Sequence, residues 1–300
     1  MDINGKKINI NKPLLQLQPH PSLKFNEHEM AKYRDIAQVI SNETHVPFSL
    51  IYGKYPWKLR INNWYKIDDN WYYYKKTGDE GLINELLGEI ISEYFGLDTI
   101  HYEIASLINE NGTYSTGVLS KNFCKKDRVY KTIEDYERTK KIKFSSTDDL
   151  SIAISKIKKI CHSNENSTIL EEQIKRLFIR DFYTTEIDRG TTNLLFSENS
   201  TNISLAPLYD YEESFTPDED LMKKYINCIG MIDINDIGSN NFLKNDRTCQ
   251  ELLNMLMNIN IDTLLTKVEE NHNIQILEGP KRFYQSHSNK IKQLVNRKIC

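Results

Sequence analysis

Glycine is scarce and never clustered. The 300 residues contain 12 of them, with neither a G-x-G-x-x-G nor a G-x-x-x-x-G-K-[ST] run, which argues against a Rossmann dinucleotide domain and a P-loop NTPase. The five cysteines, Cys124, Cys161, Cys228, Cys249 and Cys300, are far apart, odd in number and without a C-x-x-C pair. That excludes an obvious disulfide framework or zinc knuckle and points to a reducing, cytoplasmic setting. No apolar run is long enough to span a bilayer, and the opening MDINGKKINI lacks an apolar signal core. A formal net charge of -3 supplies no global field to draw in nucleic acid or an anionic membrane. The local basic runs at 140–143 and 156–159 read as solvated helix faces.

What is present divides into a strand-rich first part and a helix-rich second part. Residues 1–27 are polar and read as an N-terminal arm or an early strand, and 28–42 as a short helix. From Phe48 the chain is dense in aromatic and β-branched residues. PFSLIYGKYPWKLRINNWYKIDDNWYYYKK, broken at Gly53, Asn62-Asn63 and Asp68-Asp69-Asn70, predicts a meander of short antiparallel strands. GLINELLGEIISEYFGL then places Ile83, Leu86, Leu87, Ile90, Ile91, Tyr94 and Phe95 at helical spacing, with Gly96 as a stop. IHYEIASLI and TYSTGVLS predict two further strands around an Asn111-Gly112 turn. After Phe123 the amphipathic stretches DDLSIAISKIKKI and STILEEQIKRLFIRDFY predict helices. NLLF and ISLAPLYD read as short strands, and the pattern beyond Asp220 is helical almost to the end. The expected fold class is therefore α+β and bilobal: a lobe of residues 28–123 with a sheet and one main helix, and a mainly helical lobe of 124–300. Ligand sites favour the cleft between two such lobes.

Phosphoryl transfer asks a protein for a cation on the phosphates, ligands for Mg²⁺ and a carboxylate beside the acceptor hydroxyl. Asp188 lies between an amphipathic helix and an apolar strand, and Asn193 follows five positions later, the spacing of the protein-kinase catalytic loop. A bare D-x4-N pair also arises by chance in an Asn-rich chain. Asp210 ends the strand ISLAPLYD, where a carboxylate can face a hard cation; a strand-ending turn Asp is the alternative. Lys75 ends the strand WYYYKK, and Glu85 sits in the first turns of the next helix, as in the kinase pair that holds the α/β-phosphates. Lys76 points to the opposite face, so one of the two lysines enters the cleft; a surface Lys at a strand end remains the plain alternative. Gly53 is the lone glycine available to a phosphate loop.

Four segments in this order resemble the HipA-like serine/threonine kinases: NWYYYKK, NELLGEIISEYFGL, EIDRGTTNLLF and LAPLYDYEESF. STGVLSKNF is similar to the hinge of that family. The resemblance covers residues from about 48 to 215, and its most specific part is L-A-P-L-Y-D. It implies a protein-kinase-like fold using ATP and Mg²⁺. It also implies a phosphate-contacting Lys75 oriented by Glu85, adenine beside Leu119, Ser120 and Lys121, Asp188 as the base, and Asn193 and Asp210 on the metal. The implied partner is a protein with a Ser or Thr acceptor, this chain itself included; an antitoxin partner is not indicated. Two departures stand out: Glu186 where the family has Asn, and Gly190 where it often has His. A lipid or small-molecule kinase of related fold and a nucleotide-binding pseudokinase are the alternatives.

Overall fold

The computed structural model describes residues 7–53, 59–109, 111–145, 148, 150–160, 167–215 and 241–299. The first part builds β1 (Ile8–Ile10), β2 (Leu15–Leu17), α1 (Glu27–Thr44), α2 (Phe48–Ile51), β3 (Trp64–Ile67), β4 (Asn70–Lys76), α3 (Asp79–Tyr94), β5 (Tyr102–Ile108) and β6 (Tyr114–Lys121). Next come β7 (Val129–Thr132), α4 (Ile133–Lys140), α5 (Leu150–Ile160), α6 (Ser167–Thr184), β8 (Leu195–Glu198) and β9 (Ile203–Leu205). The last described stretch holds α7 (Asn241–Asn245), α8 (Arg247–Met257), α9 (Ile261–His272), β10 (Ile274–Ile276) and α10 (Glu278–Ile299). The expected α+β architecture is present, with a five-stranded sheet, order β2-β5-β6-β4-β3, followed by helices around a three-stranded sheet, order β7-β8-β9. No helix among the described residues is long and apolar enough to cross a membrane.

Local chemistry explains most element ends. Asn26 caps α1 by accepting from the Glu29 N–H, and Thr132 and Asp135 close a capping box on α4. Asp68 and Asp69 both adopt positive φ in the tight turn joining β3 to β4. The β5–β6 hairpin turns at Gly112 with φ +76°, and α3 stops at Gly96 with φ +69°.

The expected meander from Phe48 holds for the antiparallel β3–β4 hairpin and needs correcting before it; residues 54–58 lie outside the described residues. Residues 48–51 form one helical turn begun by Pro47, whose fixed φ suits a helix start, and 61–63 form a 3₁₀ turn. An isolated Tyr52–Leu59 bridge is the strand pairing seen between β2 and β3 among the described residues. The polar arm contributes two strands: β2 runs parallel to β5, and β1 pairs with β10 from the other end of the chain. Residues 221–240 of the helical reading lie outside the described residues.

One hydrophobic core runs through both parts. It joins Leu82, Ile83, Leu86, Leu87, Ile90 and Ile91 of α3 to Ile104 and Val118 of the sheet and to Leu177, Leu252, Leu264 and Ile291 of later helices. α3 is therefore enclosed: twelve of its sixteen residues, Gly81 to Ser92, are buried. A helix apolar nearly all round demands such cover. Its buried polar residues must then find partners inside the protein, and each does. Asn84 donates to the carbonyls of Glu212 (2.8 Å) and Ser214 (2.9 Å) and accepts from the Tyr284 hydroxyl (2.7 Å). Glu89 accepts from the Tyr102 N–H and pairs with His101. Ser92 donates to the Gly88 carbonyl.

His272, closing α9, is 3 % exposed and stacks on His101. Burial first, then the charges of His101 and Lys12, lower it from 6.5 to about 4. Between those values the unfolded chain binds more protons than the folded one, so stability is complete above about pH 6.5 and is lost as pH falls toward 4. His272→Leu is expected to shrink the loss of urea stability between pH 7 and 5 by on the order of 1–2 kcal/mol. An unchanged pH slope would show that His272 does not carry it.

Candidate active site

Strand alternation sends Tyr73 and Lys75 to one face of β4, while Tyr72 and Tyr74 pack on the other. Lys76 shares that second direction and is exposed. The cleft-facing lysine is therefore Lys75. Its ammonium donates to Glu85 Oε1 at 2.7 Å and to Asp210 Oδ1, and stands 3.1 Å from Glu212 Oε2. Burial opposes the charge of Lys75, but Glu85, Asp210 and Glu212 outweigh it and hold the amine well above its ordinary value. The Glu85 side chain is fully buried. Burial raises it despite Lys75, and its second oxygen accepts from the Tyr211 N–H at 2.9 Å.

Asp210 adopts φ +64°, a left-handed conformation that non-glycine residues rarely take. The surrounding bonds hold it there. The Asp210 N–H donates to the Tyr102 hydroxyl, the Tyr211 N–H donates to Glu85, and Leu208 is fixed by backbone bonds to Asp98 and Ile100. Burial works against the Asp210 carboxylate, but Lys75, Arg60 and Arg189 hold it below the usual range.

Asp188 lies on the loop after α6. It is exposed, while its neighbours from Asp181 to Gly190 are buried. The Asn193 amide donates to the Asp188 carbonyl at 2.8 Å and to its Oδ2 at 3.0 Å. This leaves the Asn193 Oδ1 with a single long contact, from Thr192 at 3.5 Å. The surrounding protein and the like charge of Asp210 raise Asp188. The residue at the departure from the family pattern, Glu186, accepts from the Asp188 N–H at 2.9 Å and from the Ser214 hydroxyl at 2.6 Å. It thus ties the loop to the segment after Asp210.

Beneath these groups lies a buried charge network that the sequence did not single out. Arg189, 1 % exposed, donates to Asp181 at 3.0 Å and to the carbonyls of Asn193 (3.1 Å) and Tyr209 (3.2 Å). One guanidinium therefore joins the neighbour of Asp210 to Asn193. Arg180 pairs with Asp181 at 2.7 Å and lies 4.4 Å over the Tyr211 ring. Tyr211 rests on Gly88 of α3, where an added Cβ would fall 2.5 Å from the ring.

Lys75 and Asp210 open into a cavity of about 280 Å³ between the sheet and the loops. Val46, Leu50, Trp64, Val118 and Phe123 make its apolar wall; Ser120, Lys121 and Arg60 also line it. Of the expected hinge residues, Ser120 and Lys121 reach the cavity, whereas the Leu119 side chain packs away from it with Leu17, Tyr74 and Ala105. Gly53 stands beside the Tyr52–Leu59 bridge and is not among the lining residues. Arg60, Tyr73, Tyr209 and Glu212 are the site residues that sequence reading missed. Tyr73 was accessible from the two-residue period of β4, since it must share the face of Lys75.

No family model matches the chain, and no curated protein gives a significant match. Solved structures do match. The Helicobacter pylori proinflammatory kinase CtkA superposes with a TM-score of 0.55 at 16 % identity, covering 79 % of this chain and 90 % of CtkA. The Shewanella oneidensis HipA, solved with HipB and operator DNA, superposes with a TM-score of 0.51 at 11 % identity, covering 76 % of this chain and 58 % of HipA.

Gly88→Ala tests how closely the segment after Asp210 must pack on α3. The new methyl must push Tyr211, whose N–H holds Glu85, and overpacking of this kind costs about 1–3 kcal/mol. The expected result is a lower urea midpoint, with changed signals from the Tyr211 ring in NMR spectra; wild-type stability would refute the close approach. From the closely packed α3 to the loops around Asp188 and Asp210, the chain has the protein-kinase-like fold of HipA and CtkA.

Proposed function

We propose that the chain is a kinase that moves the γ-phosphoryl group of Mg·ATP to a Ser or Thr hydroxyl of a protein. The observation that carries this reading is the joining of five side chains distant in sequence. Lys75, Glu85 and Asp210 form one ion-paired group at the cavity, and Asp188 and Asn193 form a hydrogen-bonded pair within electrostatic reach of it. Fold likeness adds the kinase architecture and leaves the acceptor to be argued from chemistry.

The residues suit a magnesium ion. The Asn193 Oδ1 has capacity to spare, and the Asp210 carboxylate is held charged. Asp188, Glu212 and Glu213 add further acid nearby. One amide and one carboxylate leave room for the phosphate oxygens and waters that Mg²⁺ prefers to keep. When bound, Mg·ATP supplies the phosphoryl group and neutralises the charge that develops during transfer. Lys75, oriented by Glu85, would hold phosphate oxygens. Asp188 would take the proton of the acceptor hydroxyl as its oxygen bonds the γ-phosphorus and ADP departs. A carboxylate raised above its ordinary value is a stronger base at neutral pH. The exposure of Asp188 among buried neighbours suits a side chain that meets an outside substrate.

Incubation with labelled ATP, Mg²⁺ and a lysate is the direct test, with label counted separately in protein and lipid. Transfer to protein is expected. It should fall about 10²- to 10⁴-fold in Asp188→Ala, and Asp210→Asn should abolish it with the fold retained by circular dichroism. The acid limb of the rate profile should lie above 3.8, the ordinary aspartate value, because burial and Asp210 raise Asp188. A folded Asp188→Ala protein with full activity would refute the assignment; label confined to lipid would redirect the acceptor.

A further inference from the structure

Arg60 is a charged cavity residue to which the proposed mechanism gives no role. It lines the same cavity as Lys75 and Asp210 and is exposed to it. Its backbone is fixed: the Arg60 N–H donates to the Ile51 carbonyl, and its own carbonyl accepts from the Asn63 N–H. Its guanidinium lies within electrostatic reach of Tyr73, Asp210, Tyr209 and Asp188. Among the described residues it makes neither a side-chain hydrogen bond nor an ion pair.

The charge count at this place is lopsided. Lys75 already serves Glu85, Asp210 and Glu212, and Arg189 is committed to Asp181 and two carbonyls. A polyphosphate entering beside Asp188, Asp210 and Glu212 meets like charge that Lys75, already shared among three carboxylates, offsets only in part. Phosphate loops elsewhere supply backbone N–H groups made accessible by glycine. Here Gly53 is not among the lining residues, and the described side of the loop presents Leu50, Leu59 and Arg60. A guanidinium has a planar fork of donors that fits phosphate oxygens in pairs and keeps its charge at any working pH.

We propose that Arg60 is a polyphosphate-binding residue, clamping the phosphates of a nucleoside di- or triphosphate together with Lys75 in place of a glycine-rich cradle. This rests on the nucleotide reading above. It assigns Arg60 to the phosphates and leaves the base to the apolar wall of Val46, Leu50, Trp64 and Phe123.

The test is calorimetric titration of the whole chain with adenosine, ADP and ATP in the presence of Mg²⁺. Arg60→Gln is expected to weaken ADP and ATP by about tenfold or more, as the loss of a charge-assisted contact does, while adenosine binding stays within about twofold. Arg60→Lys, which keeps the charge and loses the fork, should fall between. Unchanged ATP affinity in Arg60→Gln would overturn the assignment. So would an equal loss for adenosine and ATP, which is the mark of a structural role. If the unsubstituted chain binds none of the three, the nucleotide reading fails at its root, an outcome separable from the failure of Arg60 alone.

Discussion

Glu85 is tolerated in full burial because two donors from distant parts of the chain converge on it. Lys75 comes from the sheet and the Tyr211 N–H from the segment that carries Asp210. A buried carboxylate stripped of its partners costs several kcal/mol. The sheet, α3 and the Asp210 segment must therefore hold one another in register, and the rest of the site inherits that register. Asn84, the preceding residue on α3, adds a second set of ties. It reaches the carbonyls of Glu212 and Ser214 and meets Tyr284 of α10. The helix that carries Glu85 is thus held by the C-terminal helices as well as by the sheet.

The site is built on a contrast between two charge groups. The lower one, Arg180, Asp181, Glu186 and Arg189, is sealed from solvent and rich in direct bonds. It acts as scaffold, fixing the backbone around Asn193 and Tyr209. The upper one, Lys75, Asp188, Asp210, Glu212 and Arg60, opens toward the cleft. Its three acids outnumber its two cations.

Much of this was legible beforehand. The period of α3, the Asn111-Gly112 turn and the strand ending at Lys76 are set by neighbours in sequence, and local rules reach them. Lys75, Glu85, Asp188, Asn193 and Asp210 could be named because they follow in the order, and on the element types, of the HipA-like pattern that the chain resembles. The stretches 48–51 and 61–63 misled. Their aromatic and β-branched residues promised strands, but Pro47 starts a helical turn and tertiary packing outweighs β-propensity there. Arg60 was invisible for a related reason: nothing local separates it from a surface arginine.

By itself the sequence determined the order of the main elements and the apolar character of α3 on nearly all sides, and it named candidate site residues. The elements follow from spacing and side-chain type, the candidate residues from those together with the resemblance to HipA-like kinases. Only the tertiary structure decided that Lys75 and not Lys76 faces the cleft, that Glu186 and Arg189 serve as ties, and that Arg60 lines the cavity without a side-chain partner among the described residues. Each of these depends on which distant groups lie within hydrogen-bond or Coulomb range. Residues 75, 85, 188 and 210 come within that range only once one core has closed around α3.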